Sequence, residues 1–387
     1  MDTNNSSQLA MIRRDKWLLS SLTWIPVLLA VMIWAIFSQG IARNLPVGVV
    51  NLDNGALSHQ LVRYYDATSA MAVSAEYQSV TQAKQALIQG DIYAYAVIPF
   101  NFEQDTYKQL APQVSVFYNS QMILVGKLIN SAFLQAQGTF NAQLSTVGNL
   151  AQGNHALASA MASAVPFRTQ ITPLFNKNSN YAQFLVSAVI PALWQIVIVV
   201  STILILSANL RDRGLQPWLS HQPVRSLLAT LTPYSWIFAL QGFAFLCWFY
   251  LGFKWPMNGS FFTIIIAQWV TIAACMIMGC LFFFLTLDAA RAMSFAGAFT
   301  APSFAFMGIT FPVTDMSPLA QAWRSLLPIS HYIEAQVSQV SYGQLASESL
   351  LHLLPMFGYA VPAALAILLI NKHLAADLLT RPNQEQL

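Results

Sequence analysis

Charged side chains are scarce in this sequence: only 9% of its 387 residues are Asp, Glu, Lys or Arg, where water-soluble chains carry about a quarter. A polar shell around this much apolar material cannot be assembled, which excludes an ordinary cytoplasmic enzyme. The 18 Lys+Arg against 15 Asp+Glu leave a net charge of +3, too small to argue for nucleic acid as a partner. Cysteine is rare, and Cys247, Cys275 and Cys280 all lie in apolar runs, so no disulfide scaffold is expected. The six histidines are scattered and no C-x-x-C occurs, so no metal site is indicated. Neither G-x-x-x-x-G-K-[ST] nor G-x-G-x-x-G is present, and the chain therefore has no usual cradle for a nucleotide phosphate. G-x-S-x-G and H-E-x-x-H are missing too. No catalytic or cofactor-binding residue is assigned, and energy for any work must come from elsewhere.

What is abundant is apolar: 56% of residues are hydrophobic and the mean hydropathy is +0.51, which excludes disorder. These residues fall in blocks. Crossing a bilayer takes about 20 mainly apolar residues, and six runs qualify: Leu18 to Phe37, Phe184 to Leu206, Pro233 to Leu251, Phe261 to Leu285, Ala292 to Phe311 and Leu351 to Ile370. The fifth is the least hydrophobic. Its small residues, Gly297, Ala301 and Gly308 among them, suit close helix packing in lipid. The first run could also be read as a cleaved signal, but it exceeds the apolar length of about 7 to 15 residues typical of signals, so its retention is expected.

Basic residues set the orientation. With the amino terminus in the cytoplasm, the inside segments hold Arg13, Arg14, Lys16, Arg211, Arg213, Arg225, Arg291, Lys372 and Arg381, while the short outside segments hold only Lys254 and Arg324. The expected fold is thus an α-helical polytopic membrane protein of six transmembrane helices, with an α/β extracytoplasmic domain inserted between helices 1 and 2. Residues 1–17 form a cytoplasmic interfacial helix, 18–43 the first transmembrane helix, 44–180 the extracytoplasmic domain, 181–371 the remaining five helices and 372–387 a cytoplasmic tail.

Within 44–180, strands are predicted at Pro46 to Leu52, Met71 to Ala75, Ile92 to Ile98 and Val114 to Tyr118, with helices at Ala56 to Tyr65 and Phe100 to Leu110. Ser79 with Gln82 has the spacing of a capping box, opening a helix that Gly90 would stop. Residues 121–163 read as helical, with glycines that argue against a single rod, and Phe167 to Phe175 as a returning strand. The acidic residues here (Asp53, Asp66, Glu76, Asp91, Glu103, Asp105) share no mechanistic spacing and read as solvated surface.

Charges at membrane depth are costly unless paired or wetted. Asp288 and Arg291 are spaced to neutralise each other. Glu334 beside His331 is open to two readings, a polar wall of a translocation path or a satisfied interfacial pair. Between spans two and three, Arg211, Asp212, Arg213, Gly214, Leu215, Trp218, Leu219, Pro223 and Arg225 mix charge with apolar residues. That loop, 207–231, is either a docking surface for a cytoplasmic partner or a helix in the lipid interface. Leu9 to Trp17 could form a weakly amphipathic helix on the inner leaflet. The aromatic spans, with Trp194, Trp269 and Phe282 to Phe284, fit lipid-facing positions better than a drug site.

Three passages resemble the ABC-2 type transporter permeases, the membrane half of ATP-driven bacterial exporters. They are Val47 to Asp53 with Gln82 to Pro99, Leu210 to Gly214 with Gln222 to Arg225, and Gly308 to Val313 through Leu327 to Glu334. The inner loop departs from the family pattern in having Leu215 where Thr is common. The resemblance implies a dimer with a second permease subunit, the same or paralogous, and a separate cytoplasmic ABC ATPase that holds ATP and Mg and docks on 207–231. It allows a periplasmic adaptor and an outer membrane channel, and places the chain in the bacterial inner membrane. Phe311, Pro312, Pro328, His331 and Glu334 would belong to a translocation path or a re-entrant segment over 312–334, since prolines break regular helix there. The alternatives are a secondary carrier, for which intramembrane ionisable residues or repeated halves are missing, and a membrane-anchored receptor or scaffold.

Overall fold

The computed structural model describes residues 2–40, 42–108, 110–151, 175–176, 180–219 and 222–380. The chain divides into two compact units, one formed by 41–172 and the other by 1–40 with 173–387.

The first unit is built on β1 (Leu45–Asn51), β2 (Met71–Glu76), β3 (Ala94–Ile98) and β4 (Ser115–Tyr118) in the order β2-β1-β3-β4. β1 runs parallel to both neighbours, and β4 is antiparallel to β3. Parallel pairing requires crossovers, supplied by α4 (Ala56–Asp66) and α5 (Val80–Gln89). β1 is buried on both faces, which is why it reads as a nearly unbroken apolar run. Val47 and Val49 pack with Leu61 of α4 and Phe133 of the long helix α7 (Ile123–Ala151), whereas Val50 packs with Ala83 and Ala86 of α5. The Ser79 hydroxyl accepts the Gln82 amide proton at 3.3 Å, and Gly90 closes α5 with φ of 86°. A short α6 (Phe102–Tyr107) precedes β4. α7 runs straight through Gly126, Gly138 and Gly148, so the expected interruption is not seen. The helical pattern over 152–163 and most of the strand expected at Phe167 to Phe175 lie outside the described residues.

The second unit is helical. It opens with α1 (Asp2–Arg14), α2 (Lys16–Leu22) and α3 (Trp24–Ile36), and α2 and α3 meet at a 43° bend. It continues with α8 (Tyr181–Arg213), α9 (Leu215–Leu219), α10 (Pro223–Cys247, extended by a π turn to Gly252) and α11 (Phe261–Thr286). After α12 (Ala289–Thr300) and α13 (Ser303–Phe306) come α14 (Pro318–Ser325), α15 (Pro328–Val337), α16 (Ala346–Leu351) and α17 (Ala360–Thr380). α11 is the centre of the bundle, packing against α8, α10, α12, α15 and α17.

Among the described residues, four helices are long and apolar enough to cross a membrane, or five with the bent α2–α3 pair. The protein is therefore a multi-pass helical membrane protein. The fifth expected span, Ala292 to Phe311, is not one helix: α12 has 12 residues, about 18 Å of rise, and the chain turns at Ala301 and Pro302 before the single turn of α13. Pro302 lacks the amide and crowds the preceding turn, which favours a break here, whereas α8 runs on through Pro191 and α10 through Pro233.

Candidate functional site

The end of α8 is tied to the amino-terminal helices by polar side chains. Gln8 of α1, 1% exposed, donates to the Asn209 side chain at 2.9 Å and accepts from the Tyr234 hydroxyl of α10 at 2.9 Å. Three helices thus share one buried clasp. The helix expected over Leu9 to Trp17 is divided, because Asp15 ends the α1 turn and caps α2 by accepting the amides of Trp17 and Leu18. Its carboxylate also takes a 3.0 Å bond from Arg211. Burial raises the Asp15 pKa, but the Leu18 amide and the Arg211 guanidinium outweigh it and hold the group below its ordinary value.

Gly214, at φ of 74°, turns the chain out of α8, and α9 folds back onto the bundle. Leu215, Trp218 and Leu219 are consequently buried. The Trp218 indole donates to Thr230 Oγ1 at 3.0 Å, and Gln216 donates to the Leu374 carbonyl of α17 at 2.8 Å. Of the loop that the sequence left open between a docking surface and an interfacial helix, Trp218 and Leu219 thus pack into the chain's own bundle. What is exposed in this segment is a mixed rim: Arg211, Asp212, Pro217, Gln222 and Arg225 together with the apolar Val224 and Leu228, while Arg213 and Pro223 are half-buried. Ser220 and His221 lie outside the described residues.

The second cluster is at the α14–α15 turn. Pro328 opens α15, and its next residue, Ile329, donates its amide to Gln195 of α8 at 2.9 Å. Gln195 also donates to Ser303 at 3.0 Å, so one buried glutamine fixes the starts of α13 and α15. Glu334 does not pair with His331. It accepts from Arg324 at 2.6 Å and lies 3.7 Å from His352, while a His331 ring nitrogen sits 3.0 Å from the Ser325 carbonyl oxygen. Consecutive turns of α15 carry residues 331 and 334 past each other toward different neighbours. Phe311 and Pro312 are exposed, and Pro328 and His331 buried.

The small-residue segment packs through other positions than expected. Ala292, Ala296 and Thr300, four residues apart, form the inward face of α12, whereas Gly297 and Ala301 are exposed and a Cβ at Gly297 would meet nothing within 4 Å. Close helix approaches occur instead at Gly279, where a Cβ would come within 2.8 Å of Thr202, and at Gly242, where it would come within 2.9 Å of Gln268 and Trp194. Gly308, at φ of 84°, lies beside Val313 and the Arg324 guanidinium. The Asp288 carboxylate caps α12 by accepting the Arg291 amide at 2.8 Å, a local backbone bond where a side-chain pair was expected. Neither Gln8 nor Gln195 stands out in the sequence; the only signal is a polar residue within an otherwise apolar surrounding.

Taken as chemistry, these clusters offer caps, clasps and a charged rim, features suited to docking and to moving helices as units. A family model described as ABC-2 family transporter protein matches residues 16–369. No curated protein and no solved structure matches the chain.

Proposed function

This chain belongs to the ABC-2 family of transporter proteins, and from that premise we propose that it is the membrane-spanning subunit of an ATP-driven exporter, working as a dimer with a second permease subunit, the same or paralogous. The observation that carries this reading is the family match, which runs from the start of α2 into α17. The family is a transport component of the membrane, and its association with an ATPase subunit comes with it. That subunit would hold ATP and Mg and supply phosphoanhydride hydrolysis; no step of it is assigned to this chain.

The docking surface for the ATPase is proposed on the rim formed by Arg211, Asp212, Pro217 and Arg225, with Arg213, Gly214 and Pro223 shaping its backbone. The clasp supports this placement. A push on the rim would move α1, α8 and α10 together, because Gln8 bonds to both of the other helices, and rigid-body motion of packed helices is how such subunits switch. With both termini cytoplasmic, residues 44–180 form the extracytoplasmic α/β domain of an inner-membrane protein. The α2–α3 pair, α8, α10, α11 and α16–α17 are five of the six transmembrane elements. The sixth is the broken α12–α13 segment, which leads into the re-entrant 312–334 stretch. Breaks of this kind persist at membrane depth where protein or water covers the backbone. Phe311, Pro312, Pro328, His331 and Glu334 are proposed to border the translocation route. The exposed Gly297 and Ala301 would then meet the second permease subunit. An adaptor and an outer membrane channel remain compatible with an extracytoplasmic domain of this size.

The test is reconstitution. Proteoliposomes holding the full chain and its ATPase subunit are expected to show ATPase activity above that of the soluble subunit alone, and Arg225→Glu is expected to lower it. An ATPase that neither co-purifies with the chain nor responds to it would refute the proposal, and ligand binding without ATP-dependent transport would favour a receptor.

A further inference from the structure

The amino-terminal corner of the helical unit concentrates positive charge. In α1, Gln8 and Met11 are buried and Ile12 half-buried, with Asp15 half-buried at the helix end, the spacing of one helix face. The clasp at Gln8 turns that face to the bundle, so Leu9, Ala10, Arg13 and Arg14 are exposed. α2 then opens on Lys16 and Trp17, both exposed, the tryptophan at 76%. A cavity of about 340 Å³ lies at this corner, and its wall holds Arg14, Asp15, Lys16, Trp17, Arg211 and Asp212.

Three cations meet two carboxylates there, and one guanidinium engages both acids: Arg211 lies 3.0 Å from Asp15 and 3.6 Å from Asp212. Asp15 is occupied further by the amides of Trp17 and Leu18. Arg14 and Lys16 form no ion pair among the described residues. Their charge is therefore open to an anion from outside the chain.

The residues that follow identify the anion. No residue of α3 is buried, and Leu19, Trp24, Val27 and Leu28 expose apolar surface along the α2–α3 pair, which is apolar enough to cross a membrane. Tryptophan at the start of such a segment suits the membrane–water boundary, and basic residues just ahead of a span attract anionic headgroups. An acidic protein segment would use Arg14 and Lys16 but would gain nothing from the apolar track after them.

We propose that the α1–α2 corner binds an anionic phospholipid, its phosphate held by Arg14 and Lys16 and its acyl chains lying along α3. The site rests on the α2–α3 pair entering the membrane and not on the ATPase. Arg211 is common to this cavity and to the docking rim; Arg14 and Lys16 belong to the cavity alone.

The test titrates the purified full chain in a neutral detergent with phosphatidylglycerol and with phosphatidylcholine of the same acyl chains, counting bound lipid by native mass spectrometry. Phosphatidylglycerol is expected to half-saturate the chain at the lower concentration. Arg14→Gln and Lys16→Gln should each raise that concentration about fivefold and together about 25-fold, the fold-change of about 1 kcal/mol per cation near a membrane surface, leaving phosphatidylcholine unmoved. Lys372→Gln, which removes one exposed charge from α17, should change neither. Equal binding of the two lipids by the native chain would overturn the proposal, as would a preference that survives the double variant or falls as far in Lys372→Gln. Glycerol phosphate that displaces the lipid at equal concentration would mark a site for free phosphate and overturn the lipid assignment. A double variant that keeps its lipid preference but no longer binds the ATPase would give the cluster to the partner protein and overturn it equally.

Discussion

The Arg324 guanidinium, only 7% exposed, meets the Glu334 carboxylate at 2.6 Å across one helix turn boundary. No other carboxylate is bonded to Arg324 among the described residues, and its Nε has no partner. The pair therefore holds a buried cation that has nowhere else to go.

Removing the acid should cost more than removing the neighbouring imidazole. Glu334→Gln is expected to destabilise the protein by about 1.5–3 kcal/mol, the range for a hydrogen bond to a charged group, because a buried guanidinium is left without its anion. His331→Ala loses one bond to the Ser325 carbonyl and should cost about 1 kcal/mol. Replacing Arg324 and Glu334 together by Met should recover part of the loss. Thermal unfolding in detergent reads all three, and an equal effect of the two single variants would show that the ion pair contributes nothing.

Asp15 makes the amino-terminal tie dependent on pH. Its carboxylate lies below the ordinary value of 3.8 in the folded protein: burial opposes this, and the Leu18 amide and Arg211 overcome it. A depressed folded-state pKa means that the stabilisation is present above 3.8 and disappears as pH falls through the lower folded value. Because Arg211 is 63% exposed, the ion pair itself is worth only about 0.2–1 kcal/mol and weakens with salt. Hydrogen-exchange protection of residues 16–22 should be flat across the neutral range and fall only in strong acid. Asp15→Asn, which keeps a capping oxygen, should remove that acid dependence and leave the helix intact.

Tyr65 should make the 41–172 unit sensitive to alkali. Burial pushes its hydroxyl up to about 12, against a small opposing effect of the Gln137 amide that bonds it at 2.9 Å. A raised folded-state pKa leaves stability whole below 10 and removes it as pH climbs from 10 to about 12. Phenolate absorbance of the intact protein should include a step near 12 that is lost in Tyr65→Phe. That variant is expected to cost about 1 kcal/mol, since the ring stays packed 4.9 Å from Phe133.

Much of the 41–172 unit could be read from the sequence because its signals are local. A strand buried on both faces appears as Val47 to Val50, a serine cap sits three residues from its amide at Gln82, and a left-handed stop falls on Gly90. In the bundle four long helices and the bent α2–α3 pair are legible in the sequence, while the break between α12 and α13 and the contacts are not. Hydropathy marks Trp218 as apolar without saying whether it faces water or Thr230, and small size marks Gly297 without saying that Ala292 and Ala296 take the inward face. The pairing of Glu334 with Arg324 instead of His331 depends on the turn between α14 and α15, which no periodicity encodes. Clasps such as Gln8 with Asn209 join residues 201 positions apart and leave no trace in either neighbourhood.

The contrast between Trp218 and Arg225 separates structure from docking. Trp218 packs within the chain's own core and bonds to Thr230, so Trp218→Ala should cost about 3–5 kcal/mol and lower thermal stability before any partner is added. Arg225 is exposed and donates to Gln222, three residues away on the same turn, at 3.4 Å; Arg225→Glu should change stability by less than about 0.5 kcal/mol. If the rim receives the ATPase, Arg225→Glu weakens its binding, and the gap from the native protein widens as salt is lowered and closes as salt is raised, because charge at an interface rim acts mainly on association and is screened by salt. Binding of the ATPase subunit to immobilised full-length protein measures this directly. A Trp218→Ala protein that unfolds normally but no longer binds would return the tryptophan to the docking surface and move the interface off the charged rim.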